Sequence, residues 1–138
     1  MQDNAQVRSD ARALAALAAR AADDKGAQDI VILEVGDVLV LPDEFVVTAG
    51  ANDRQVKAIV EEVERQVGDA GLGKPQRVEG LQERQWVLLD YGDVVVHVFQ
   101  EEARAYYELE RLWGDVARVD WATTSTSDGL FAGSTTHS

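Results

Sequence analysis

The sequence contains no cysteine, which removes disulfides, thiolate metal sites and cysteine nucleophiles together. Basic residues are scarce: 13 Lys and Arg stand against 25 Asp and Glu, for a net charge of −12. Nucleic-acid binding depends on cations displacing counterions from phosphates, so direct contact with DNA or RNA is disfavoured unless the basic residues gather on one face. No apolar run approaches the ~20 residues needed to cross a bilayer, so no membrane association is expected. The first residues lack the acid-poor character of a transit peptide, because Asp3, Asp10, Asp23 and Asp24 interrupt Arg8, Arg12 and Arg20. No targeting segment is read, and a cytoplasmic location is expected. What is present is a 138-residue chain, 46% apolar and 28% charged, a length and balance that suit one globular domain with a single core.

The periodicity along the chain changes several times. Residues 5 to 25 have Val7, Leu14, Leu17, Ala18 and Ala21 at helical spacing, ending at Lys25-Gly26. DIVILEV at 29–35 and the stretch near 44–48 read as β-branched strands, with Pro42 confining VLVL before it to a short edge strand or loop. From Asn52 the helical period returns, with Val56, Ile59, Val60, Val63 and Val67 on one face. Asn52 and Gln55 have the spacing of a capping box, and the Gly68–Gly73 region closes this helix. A short strand around 76–79 follows. A last helix is predicted over 101–113, with Ala105, Tyr106, Leu109, Leu112 and Trp113 as its core face. Beyond Asp120 the Ser- and Thr-rich chain has no apolar face, and 120–138 is expected to be a disordered tail after a domain at 1–119. The Gly-Asp-Val tripeptide at 36, 92 and 114 falls at element boundaries and reads as repeated turn chemistry.

The segment WVLLDYGDVVVHVF at 86–99 is the richest in the chain. Period two puts Trp86, Leu88 and Asp90 on one strand face and Val87, Leu89 and Tyr91 on the other. Val94, Val96 and Val98 then oppose Val95, His97 and Phe99. Strands apolar on both faces lie centrally in a covered sheet, and Gly92 can supply the positive φ of a tight turn. Asp90 and Asp93 at the tip admit two readings, a carboxylate pair holding a catalytic metal or acids that satisfy a turn. A metal-dependent nucleotidyltransferase needs two carboxylates on one strand face. The sequence has no Asp-x-Asp, and its nearest acid pairs, Glu62/Glu64 and Glu108/Glu110, fall on predicted helices, where i and i+2 diverge. Turn acids are therefore the favoured reading, with no metal and no cofactor. His97 has no Ser or Cys nucleophile in an evident motif and reads as a packed core histidine. TAGAND lacks any phosphate-loop pattern and reads as a strand-to-helix turn. Trp86 and Trp113 fit either core or an interface anchor.

Taken together, DIVILEV, DEFVVTAGANDRQVKAIVEEVE and PQRVEGLQERQWVLLDYGDVVVHVFQEEARAYYELERLW resemble the ribosomal silencing factor (iojap) family over residues of about 29 to 113. The resemblance implies a nucleotidyltransferase-like α/β fold without catalysis. It implies binding to the large ribosomal subunit through ribosomal protein fourteen, a block on small-subunit joining when nutrients are scarce, and a homodimer when free. Glu44 stands where the family usually has Tyr, and Asn52 where it usually has Ser. The expectations are then a mixed sheet of about five strands with helices on its faces, and translational repression by anti-association. A metal-dependent nucleotidyltransferase is the alternative, and an adaptor for another partner a third reading. The partner-binding residues are expected to be Trp86, Val87, Asp90, Tyr91 and Asp93, an aromatic centre with acids steering toward basic residues.

Overall fold

A computed structural model describes residues 4–36, 42–101, 111 and 116–122, with side chains from Asp10 onward. In chain order the elements are α1 (Asn4–Asp24), β1 (Gln28–Glu34), β2 (Glu44–Gly50), α2 (Asp53–Asp69), β3 (Arg77–Glu79), β4 (Trp86–Asp90), β5 (Val94–Gln100) and β6 (Arg118–Val119). The strands form one mixed sheet in the order β3-β4-β5-β2-β1-β6. Strands β2 and β5 run parallel, with Val47 beside His97, and the other pairs are antiparallel. The α/β class and the mixed sheet agree with the sequence reading, the sixth strand being the two-residue β6.

Alternation along the strands divides the core into two layers. Ile32, Val46, Val87, Leu89, Val96 and Val98 face α1 and α2, whose residues Leu14, Ala18, Val56, Ile59, Val63 and Val67 complete that layer. Leu33, Val35, Phe45, Val47, Val95 and Phe99 form the layer on the opposite face. Both described helices therefore lie on one side of the sheet. Alanines at 11, 15, 18, 19, 21 and 22 are buried in α1, and their small side chains allow the helix to approach α2 and the sheet closely. Helix α2 buries the five apolar positions its period predicts.

The caps explain where these helices start and stop. Asn52, in extended conformation, accepts a hydrogen bond from the Gln55 amide at 2.9 Å, satisfying one of the free N–H groups of the first turn. The Gln55 side chain accepts from Ala51 N and donates to the carbonyls of Lys25 and Gly26, so one residue ties the end of α1 to the start of α2. After α2, Gly71 takes φ +78, consistent with the predicted glycine-rich stop.

The predicted 101–113 helix lies outside the described residues apart from Glu101 and Arg111, as do 38–41, expected to be a short edge strand or loop, and the tail from residue 123. The described residues continue to Ala122, just beyond the boundary expected at residue 119. Trp121 packs against the helix-side core, and its Nε1 donates to the Ile30 carbonyl at 3.2 Å. Composition alone could not show this, because Trp121 is a single apolar residue at the head of a polar stretch.

Candidate functional site

Strands β4 and β5 pair so that Trp86 opposes Phe99, Leu88 opposes His97 and Asp90 opposes Val95. Gly92, at φ +93, turns the chain between them, and the Tyr91 amide donates to the Val94 carbonyl at 2.9 Å. On the helix side Val87 and Leu89 are completely buried. On the other side Trp86 is 47% exposed, making it one of three exposed large hydrophobic residues, with Val78 and Leu81, among the described residues. Gly80 shapes the approach to Trp86: it has φ +82, and a Cβ built there would overlap the Trp86 carbonyl oxygen. Only glycine combines that conformation with so close an approach.

The indole of Trp86 lies over β5 rather than pointing straight outward. Its ring centroid is 5.0 Å from that of Phe99 and 6.0 Å from that of His97. Its Nε1–H donates to His97 Nδ1 at 3.1 Å. That bond requires an unprotonated Nδ1, so the neutral imidazole carries its hydrogen on Nε2. His97 is only 4% exposed, and burial lowers its pKa from 6.5 to about 4, since a charged imidazole loses hydration there. Phe45 meets the His97 ring edge-on at 4.7 Å. The packed-core reading of His97 holds, and the same residue supports the exposed tryptophan.

The two hairpin acids have separate surroundings. Asp90 Oδ1 accepts from the Gly92 amide at 2.8 Å, and Oδ2 meets Arg77 Nη2 at 3.4 Å. Its carboxylate thus closes the turn and pairs across to β3. The Asp93 carboxyl is raised above its ordinary pKa by partial burial and by the charges of Asp43 and Asp10, while its backbone carbonyl accepts from Asp43 N and Glu44 N. Among the described residues no group of three or more Asp, Glu or His side chains could hold a metal ion.

The five residues expected to meet a partner are therefore not gathered in one patch. Trp86 and Asp90 share a strand face. Val87 lies wholly within the core, so it supports the hairpin without offering surface. Tyr91 is half-buried against the helix-side core, where burial, with Glu64 nearby, raises its hydroxyl pKa. Asp93 belongs to the acidic end of the sheet. That end also holds Glu44, 4% exposed, whose Oε2 accepts from Arg12 Nε at 2.7 Å while Arg12 also pairs with Glu34. Sequence reading could not assemble this network, because Arg12 on α1 and Glu44 on β2 are brought together only by the packing of α1 across the sheet.

A family model described as ribosomal silencing factor during starvation matches residues 8–136. The chain belongs to the ribosomal silencing factor family. The Ribosomal silencing factor RsfS of Bacillus subtilis is 44% identical over 104 residues, covering 75% of this chain and 87% of that protein. The chloroplastic Iojap protein of Zea mays is 31% identical over 102 residues, covering 74% of this chain and 44% of that protein. Among solved structures, one from Bacillus halodurans matches with a TM-score of 0.67 at 40% identity, covering 75% of this chain and 93% of that one. Another, from Chromobacterium violaceum, gives a TM-score of 0.68 at 38% identity over 73% and 83% of the two chains. The family resemblance read over residues of about 29 to 113 is thereby shown, and with it a ribosomal silencing factor role.

Proposed function

We propose that this chain binds the large ribosomal subunit and sterically prevents the small subunit from joining when nutrients are limiting. The family match over residues 8–136 carries this reading, and the physical character of the chain supports it. A steric block requires affinity and position, not a reactive group. With a net charge of −12, the protein is repelled by rRNA phosphates and attracted to basic protein surfaces; ribosomal protein fourteen is the docking partner in this reading. The free protein is a homodimer in the cytoplasm, and catalysis and cofactors play no part.

Trp86 is the proposed anchor, because an exposed aromatic held over a rigid sheet offers large contact area at little entropic cost. A tryptophan presents roughly 250 Å²; burying the half still exposed would contribute about 3 kcal/mol at ~25 cal/mol per Å². Asp90 on the same face adds steering.

Co-sedimentation with isolated subunits tests the reading. Binding to large but not small subunits is expected, with Trp86→Ala about thirtyfold or more weaker and Asp90→Asn less sensitive to salt. Equal binding to both subunits would refute it.

A further inference from the structure

The strand register places Trp86 directly across from Phe99 and diagonal to His97, a distance within reach of aromatic and long side chains. Trp86 has one polar side-chain atom, and it is turned inward to His97 Nδ1 at 3.1 Å. The His97 ring is itself held, stacked on Phe99 with an interplanar angle of 8° and met edge-on by Phe45. The part of Trp86 left exposed is therefore apolar ring surface, fixed in direction by a hydrogen bond beneath and by Phe99 alongside. An untethered indole on a surface samples several rotamers and must surrender them on docking, whereas a tethered one has already done so.

We propose that His97 is a positioning residue, holding the indole N–H of Trp86 inward so that the ring meets the ribosomal partner as a fixed apolar face and not as a hydrogen-bond donor. This rests on the reading of Trp86 as the docking anchor. The partner surface over Trp86 is then a side chain that takes a ring face, such as an aliphatic chain or a guanidinium. A carbonyl or carboxylate positioned to accept from Nε1 would not serve. His97 acts through Trp86 and makes no contact with the partner.

The test uses the full chain with the single variants His97→Leu, His97→Asn, Trp86→Phe and Trp86→Ala, the double variant Trp86→Phe/His97→Leu, and two readouts. The first is hydrogen exchange of the Trp86 indole N–H by NMR; the second is affinity for isolated large subunits. His97→Leu removes the acceptor from an apolar setting, while His97→Asn keeps an acceptor close to the position of Nδ1. Slow indole exchange is expected in the unmodified chain and in His97→Asn, and fast exchange in His97→Leu. Affinity is expected to fall about three- to tenfold in His97→Leu, the effect of freeing one side chain, and to stay near the original in His97→Asn. Trp86→Phe has no indole N–H and keeps His97 in place, so it covers the case in which His97→Leu folds poorly; adding His97→Leu to it is expected to cause no further loss of affinity. Equal losses from His97→Leu in the unmodified chain and in the Trp86→Phe variant would overturn the positioning role, as would unchanged indole protection or tighter binding in His97→Leu. Full binding by Trp86→Ala would instead refute the anchor itself, so the two failures are distinguishable.

Discussion

Acidification should expose the energetic consequence of keeping His97 neutral. Burial holds its folded-state pKa at about 4, against about 6.5 in an unfolded chain. Above pH 6.5 the imidazole is neutral in both states and contributes no pH dependence. As pH falls below 6.5 the unfolded chain takes up a proton that the folded chain refuses, so stability declines until the folded imidazole titrates near pH 4. A difference of about 2.5 units at 1.36 kcal/mol each amounts to about 3 kcal/mol lost across that window. Carboxylates also titrate there, and some act in the opposite sense: Glu44, Glu64 and Asp93 all have raised values. The clean quantity is therefore the difference between the unmodified chain and His97→Asn, which retains those groups and lacks the imidazole. Urea unfolding at fixed ionic strength from pH 7 to pH 4 would measure it. The unmodified chain is expected to lose about 3 kcal/mol more than the variant over this range. Parallel curves, or a His97 imidazole that titrates near 6.5 by NMR, would refute the reasoning.

Three further perturbations probe the frame around the site. Gly80→Ala is expected to cost about 2 kcal/mol or more in thermal or urea unfolding, because the left-handed backbone and the nearby Trp86 carbonyl both oppose a Cβ. Arg12→Met removes the cation that pairs with buried Glu44 and should cost about 1–3 kcal/mol at pH 7, discounted because Arg12 is partly exposed. Burial already raises the Glu44 pKa, so the deficit should shrink as pH falls and Glu44 is protonated, and Glu44→Gln should rescue Arg12→Met; a loss independent of pH would contradict the pairing. Trp121→Ala should lower stability by about 2 kcal/mol through lost packing and the lost bond to Ile30, whereas an unchanged melting temperature would show that this packing does not stabilise the domain.

What could be read in advance was whatever local chemistry decides. Helix α2 was legible because its five valine and isoleucine positions repeat at helical spacing and Asn52 marks its start; the β4–β5 hairpin was legible from its alternation and from Gly92. The face on which a residue ends up was also legible, since period two separates Trp86 from Val87. Which of those faces receives the two described helices was not, because that depends on both α1 and α2 settling on the Val87 side. Tyr91 and Asp93 lie close to Trp86 along the chain, yet the turn sends Tyr91 toward α2 and Asp93 toward Asp43 and Asp10. The Trp86–His97 bond joins residues on adjacent strands, and finding it requires the register, which the sequence leaves open by one residue or more. Strand β6 has only two residues and pairs with β1 from far along the chain, too short a segment for any periodic signal.

A block on subunit joining can be followed by light scattering, which rises as the two subunits associate. Purified large subunits would be incubated with increasing amounts of this protein, then mixed with small subunits, and the rise in scattering recorded. The amplitude is expected to fall toward zero as the large subunit saturates, Trp86→Ala to need about thirtyfold more protein for the same effect, and preincubation of the small subunit instead to give no added inhibition. An undiminished amplitude at a protein concentration that demonstrably saturates the large subunit would contradict the proposed block on joining.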